Sequence, residues 1–325
     1  MNSTAFYFSL SGFGVMADFR ATILTLTFLC YIAILVVNVS LILTVVLDSS
    51  LHQPMYIIVC NLCLNALWGT AGFYPKFLID LQSYVQVISY AGCFVQIFII
   101  YTYVMNDYSI LALMAYDRYV AICQPLEYHC LMSTQRTALL VVLAWCVPLS
   151  WGAVLIYMSL RLKLCGRHIQ KLYCENWSIV KLSCTETTAN NIVGLIIISF
   201  YILHALVIMV SYVRLVLMAL KTKEGRRKFS QTCVPHLLCL LNVTAALLFD
   251  VMYSRYGSTS VQQSLKNFMA LQFLVMPPLV NPIIYGLILT KIRDRMAALC
   301  VTACHRLRNA ACHKIRKPQS TFSPN

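Results

Sequence analysis

An acid and a base stand side by side at Asp117-Arg118, within Met114-Ala115-Tyr116-Asp117-Arg118-Tyr119-Val120-Ala121-Ile122-Cys123. Such a pair in apolar surroundings is costly unless it is paired or used. Arg118 can hold Asp117 in one state and offer its planar fork to an incoming partner in another. Asp107 lies eleven residues earlier, roughly 16 Å along a helix. A carboxylate at that depth binds a cation, stays protonated or hydrogen-bonds within a bundle. Arg255, in Ser254-Arg255-Tyr256-Gly257, has the geometry to clamp a carboxylate. Pro282, in Asn281-Pro282-Ile283-Ile284-Tyr285, takes from a helix the amide that the Pro278 carbonyl would use. Asn281 is placed to satisfy the backbone freed there, and the break is a candidate hinge. Enzyme motifs are absent: there is no Walker loop, His-Glu-x-x-His or Gly-x-Ser-x-Gly. Gly12-Phe13-Gly14 has no βαβ unit behind it, and His204 stands alone in its apolar stretch. The expectation is therefore no enzyme and no cofactor.

The elements that hold these residues are set by composition. Charged residues are 11% of the 325, against roughly 25% in soluble domains. Hydrophobic residues are 60%, and only a bilayer solvates that much apolar surface. Seven stretches are long enough to cross one, at about 22–47, 55–80, 90–116, 137–160, 189–213, 230–254 and 266–289. Backbone groups in lipid must pair within their own segment, so the stretches are read as helices. The expected fold is all-α: a polytopic seven-helix bundle, with residues 1–21 before it and a short amphipathic helix and basic tail at 290–325.

The net charge of +14 would suit nucleic acid, but it is segregated between the spans, so no nucleic-acid partner is expected. Loops after spans one, three and five, with the tail, carry 16 Lys and Arg; the other side carries 9. That asymmetry puts the C-terminus in the cytoplasm and the N-terminus outside. The runs 221–228 and 291–317 suit anionic inner-leaflet lipid. Cys300 and Cys304, in the second run, are candidates for palmitoylation. Asn2 opens an N-glycosylation sequon on the outer side. Asn176 opens a weaker one, and those at Asn38 and Asn242 fall inside spans. The N-terminus lacks a charged-then-apolar start, so span one is expected to be the signal anchor.

Of 15 cysteines, four fall on the outer side: Cys93, Cys165, Cys174 and Cys184. An even number in an oxidising compartment suggests two disulfides, and four cysteines allow three pairings. A bridge from Cys93 to the long loop 161–188 would make that loop a lid. The tail residues Cys300, Cys304, His305, Cys312 and His313 match no usual zinc spacing, so no metal is expected.

Taken together the motifs resemble those of rhodopsin-like (class A) G-protein-coupled receptors, and of olfactory receptors in particular. The 114–123 stretch continued by Pro125-Leu126 and Tyr128 is close to a family signature. Leu51-His52 with Pro54-Met55-Tyr56, Ser211-Tyr212, Lys228-Phe229-Ser230 with Thr232-Cys233 and His236, and Asn281-Pro282-x-x-Tyr285 complete it. The resemblance covers about residues 20–300. It implies pairings Cys93–Cys174 and Cys165–Cys184, and an odorant receptor in the plasma membrane of olfactory neurons. It also implies coupling to a heterotrimeric stimulatory G protein that raises cyclic AMP. Asp117, Arg118, Tyr119, Tyr212, Asn281, Pro282 and Tyr285 would be the coupling and switch residues. Ser254-Arg255-Tyr256-Gly257 resembles a stretch of the class I, aquatic-type branch and suggests a carboxylate-bearing odorant. Two positions depart from the class A pattern: the span-two Asp is replaced by Ala66, beside Asn65, and the span-six aromatic by Thr244. The mid-membrane negative charge then rests on Asp107.

By family position the pocket would be lined by Ile97, Ile100, Tyr101, Val104 and Met105 of span three. Ile197, Phe200, Leu248, Val251, Arg255 and Leu271 would complete it. A small odorant bound there would favour the form with span six swung outward, opening a groove for a G-protein helix. Another class A branch is the nearest alternative, and a transporter the alternative from a different class. A transporter would show repeat symmetry and paired broken helices.

Overall fold

A computed structural model describes residues 6–12, 19–219, 233–234, 237–245, 248, 263–289 and 291–298. The helices are α1 (Arg20–Leu47), α2 (Pro54–Gln82), α3 (Tyr90–Cys123), the short α4 (Tyr128–Leu131), α5 (Thr134–Leu160), the short α6 (Asn176–Lys181), α7 (Thr188–Ala219), α8 (Gln263–Ile288) and α9 (Lys291–Ala298). Five of these, α1, α2, α3, α5 and α7, are each long and apolar enough to cross a membrane. The sixth expected stretch is helical where it is described, over 237–245. Residues 274–286 of α8 turn by 90° into α9. The molecule is thus a multi-pass helical membrane protein. The helices run up to two turns beyond the apolar limits; α3 continues through Arg118 to Cys123.

The ends follow local rules. Pro54 occupies the first turn of α2, where its missing amide costs nothing. The Ser89 hydroxyl accepts from Gly92 N to cap α3, and the Ser133 hydroxyl caps α5. The Asp48 carboxylate accepts from Ser50 N at 2.9 Å. The Ser50 hydrogen bonds hold its carboxyl below the usual carboxylate range. Arg295 of α9 meets the same carboxylate at 2.8 Å. α9 is amphipathic, with Ile292 buried while Lys291, Arg293, Asp294 and Arg295 are exposed.

α3 is the central helix and packs on α2, α5 and α7; α1 packs on α2 and α8. The α2–α3 and α3–α5 contacts are close because small residues stand at the crossings. A Cβ on Gly69 would run into the fully buried Tyr103 ring, and one on Gly152 would approach Thr102 to 2.5 Å.

At the end opposite Arg118, a small sheet joins three distant segments: β1 (Tyr7–Leu10), β2 (Val87–Ser89) and β3 (His168–Ile169), in the order β2-β1-β3. β1 is antiparallel to β2 and parallel to β3. Phe8 and Leu10 point inward and are buried, the period-2 signature of a half-buried strand. Gly12 follows, against the backbone of Lys171 and Leu172, where a Cβ would sit 2.7 Å from a carbonyl carbon. Its carbonyl accepts from Asn267 Nδ2 of α8 at 2.6 Å. Residues 7–12, expected only as part of the stretch before the bundle, are therefore a strap across the bundle end.

The break in α8 is repaired from another helix. Pro282 leaves the Pro278 carbonyl without its helical donor, and Asn38 of α1 donates to that carbonyl at 2.9 Å. Asn281, expected to do this, does not. Asn38 is fully buried and also donates to Ile34 O at 2.8 Å, so its sequon is chance. Asn38→Leu leaves a buried carbonyl unpaired, which costs about 1–3 kcal/mol. It should lower the thermal midpoint of detergent-solubilised protein, and an unchanged midpoint would mean that Asn38 is not the repair.

Candidate functional site

A cavity of about 340 Å³ lies between α3, α5, α7, the helical stretch 237–245 and Leu248, roofed by residues 173–177. Ile100, Tyr101, Val104 and Met105 of α3, Ile197 of α7 and Leu248 line it as the sequence suggests. Ile97 does not: it is fully buried in the packing near the sheet, with Leu271 against the same cluster. Phe200 faces away, into a second hollow with Leu113, Leu140 and His204. Val251 and Arg255 lie outside the described residues.

Sequence reasoning missed several lining residues. The α3 stripe 101, 104, 105 extends by the same helical spacing to Tyr108, and Ile197 extends by fours to Tyr201, Ala205 and Met209. Continuing the period would have found them, though it also admits Phe200, three residues from Ile197. No period could have found Tyr173, Glu175, Asn176 and Trp177, which arrive through the loop fold.

The cavity is mostly apolar, with a few placed polar groups, as small-ligand sites are. The buried Glu175 is paired with Lys171 at 3.3 Å and accepts from Ser178 Oγ at 3.1 Å. Asn176 Oδ1 accepts from Ser159 Oγ at 2.7 Å. Buried in that way, Asn176 is not free to carry a glycan, which corrects the weaker sequon; Asn2 lies outside the described residues. Deeper in the cavity, the Tyr108 hydroxyl donates to Thr244 Oγ1 at 3.2 Å.

The roof is held by two disulfides. Cys93 at the start of α3 bonds Cys174, and both are fully buried. Cys165 bonds Cys184, closing the loop on itself beside the Leu164–Ser183 bridge. Cys174 N also donates to Gln96 Oε1 at 2.9 Å.

Below the cavity, Asp107 is buried on α3. Asn65 Nδ2 donates to its carboxylate at 2.8 Å and to Tyr103 O at 2.9 Å. Asn106 Nδ2 donates to Asn65 Oδ1 at 3.1 Å. The acid is thus knit into an α2–α3 network, with Asn65 as the hub. Among the described residues no group of three His, Cys, Asp or Glu gathers as a metal would need.

At the other end, Arg118 pairs with the fully buried Asp117 at 2.8 Å. Tyr128, from α4, donates to the other oxygen of the same carboxylate, Asp117 Oδ1, 2.8 Å away. Burial raises the Tyr128 phenol above its ordinary value, so it remains a donor at every physiological pH. Tyr212 of α7 and Tyr285 of α8 are buried and lie within electrostatic reach of Arg118 and, for Tyr285, of Tyr212. Tyr119 packs against the same core. Asn281 and Pro282 are buried further up α8. Three helices, α3, α7 and α8, thus bring Arg118, Tyr212 and Tyr285 toward one another.

A membrane-spanning helix bundle with an apolar cavity at one end and an acid–base pair at the other accords with the class A G-protein-coupled receptors that the motifs resemble. A family model described as olfactory receptor matches residues 27–302. Human olfactory receptor 8B3 is 34% identical over 290 residues, 88% of this chain and 91% of the relative. Human olfactory receptor 5AN1 is 32% identical over 302 residues, 92% and 96%. Olfactory receptor 1D2 of Pongo pygmaeus is 35% identical over 262 residues, 79% and 82%. The chain belongs to the olfactory receptor family. Its relatives are receptors, not enzymes.

Proposed function

We propose that the chain binds small, largely apolar odorants in the α3–α5–α7 cavity and activates a stimulatory G protein, raising cyclic AMP. The apolar cavity under a disulfide-held roof carries this reading. In it the sheet end faces outward and the Arg118 end the cytoplasm, in accord with the Lys and Arg asymmetry. The cell is an olfactory neuron and the membrane its plasma membrane. The odorant acts only through its different affinity for two forms of the bundle. In one form Arg118 holds Asp117. In the other its fork is free for a G-protein helix in the groove beside Tyr212 and Tyr285. The basic tail lies along anionic lipid.

A carboxylate-bearing odorant rests on Arg255 alone. The described wall carries an acid, Glu175, and otherwise little charge, which favours neutral ligands. The test is cyclic AMP in cells expressing the receptor with a stimulatory G protein, using acids matched against neutral esters and amides. Wild type, Arg255→Ala and Val104→Trp are compared at equal surface expression. Val104→Trp overfills the cavity and should weaken responses about 10- to 100-fold, from 1–3 kcal/mol of overpacking. Responses that survive Val104→Trp unchanged would move the ligand elsewhere. Acid-selective responses lost in Arg255→Ala would establish the carboxylate anchor; neutral ligands acting equally on both would discard it.

A further inference from the structure

In the depth of the cavity a polar contact ties α3 to the 237–245 stretch: the Tyr108 hydroxyl donates to Thr244 Oγ1 at 3.2 Å. Both residues line the cavity. Tyr108 is 2% exposed, and its ring leans on Tyr201 with centroids 6.1 Å apart. The phenol is therefore held in place, and Thr244 is the member on the helix that the receptor reading requires to move.

We propose that this hydrogen bond is the receptor's tether on span six and its reader of the odorant. A ligand whose carbonyl accepts from Tyr108 displaces Thr244 and releases the helix. The inference rests on the receptor reading above and deepens it by naming the ligand class: aldehydes, ketones and esters. A phenol has a single proton, so donating it to a ligand carbonyl removes it from Thr244. Thr244 only accepts in this bond and keeps its own proton for the carbonyl four residues back in its helix, Leu240 O, so release leaves its hydroxyl with a partner. A hydrocarbon of the same shape offers Tyr108 no acceptor, fills the cavity and leaves the tether intact. An alcohol can accept from Tyr108 and donate to Thr244, bridging the two residues and holding them together. The class of agonist is thus set by an acceptor without a donor.

The two partners have different roles, which gives the test its power. Matched sets of ketone, alcohol and hydrocarbon are assayed on wild type, Tyr108→Phe, Thr244→Val and the double variant. The readouts are cyclic AMP at equal surface expression and ligand-induced thermal stabilisation of the purified receptor. Either single variant removes the tether, so ligand-free cyclic AMP should rise about 2- to 10-fold, the span expected for one net hydrogen bond. The double variant should rise no further, because both changes delete the same bond. Ketone preference should vanish in Tyr108→Phe. In Thr244→Val it should persist in thermal stabilisation, where Tyr108 has no competing acceptor, and be lost from cyclic AMP, where no tether remains to break.

Unchanged basal signalling in both single variants would overturn the tether. Ketone preference retained in Tyr108→Phe would overturn the reader. Thermal stabilisation that prefers ketones and needs Tyr108, without any cyclic AMP in wild type, would uphold the ligand chemistry while refuting the coupling. Stabilisation without ketone preference would refute the ligand chemistry, whatever the signalling.

Discussion

Replacing Cys93 with Ala is expected to remove most of the odorant response and much of the receptor from the cell surface. The bond to Cys174 closes 81 residues of chain. In the loop-entropy account that is worth about 4.5 kcal/mol, against about 3 kcal/mol for a 19-residue closure such as Cys165–Cys184. Both numbers shrink where the enclosed helices stay inserted in the membrane, and the larger loop encloses more of them. The ranking is decided instead by what each bond holds. Tyr173, Glu175 and Asn176 flank Cys174 and form the cavity roof, so losing that bond frees the groups over the ligand. Cys165–Cys184 joins the loop to itself at its outer edge, away from the cavity lining. Cys93→Ala and Cys174→Ala should therefore match each other and exceed Cys165→Ala, in both surface labelling and odorant potency. A Cys165→Ala defect as large as the Cys93→Ala one would show that the loop folds as a unit and that the anchor to α3 is secondary.

Gly69→Leu is expected to prevent stable assembly of α2 on α3. Gly→Ala at an exposed helix position gains roughly 1 kcal/mol. Here the first added carbon already meets the Tyr103 ring, and Tyr103 is fully buried and has no room to withdraw. Overpacking of that kind costs about 1–3 kcal/mol, occasionally more, so even Gly69→Ala should lose more than propensity returns. Leu adds three further carbons at the same point. The damage should extend to the Asn65–Asp107 contact, because Asn65 Nδ2 also bonds Tyr103 O. Thermal denaturation and surface expression should fall in the order wild type, Ala, Leu. A Gly69→Ala protein as stable as wild type would mean that α2 and α3 separate at little cost, and that this crossing is not what sets the network.

The spans were legible because lipid leaves a helix no choice. A chain with so little charge, broken at regular intervals, must pair its backbone within each apolar run. The Asp117-Arg118 pair, the Pro282 break and the four outer cysteines were legible for a related reason. Each is a residue type that is costly in its place unless something compensates it.

What compensates it was a matter of three dimensions. Asn281 looked like the repair of the Pro282 break because it is adjacent in sequence; the repair is Asn38, 240 residues from Pro278. The pairing of four cysteines, open by spacing, depends on where residues 161–188 fold over α3. The strand at Tyr7–Leu10 exists only because residues 87–89 and 168–169 meet it. Ile97 and Phe200 sit at reasonable helical positions, yet face packing and a second hollow, since a helix's rotation is set by its neighbours.

The sequence by itself thus determined that the apolar runs form helices and which polar residues demand an explanation, because those follow from local backbone and solvation energies. Only the tertiary structure decided the partners: Asn38 for Pro278, Asn65 for Asp107, Tyr128 for Asp117 and Thr244 for Tyr108. A hydrogen bond acts over about 3 Å, and nothing in the order of residues along a chain says which groups the packing will bring that close.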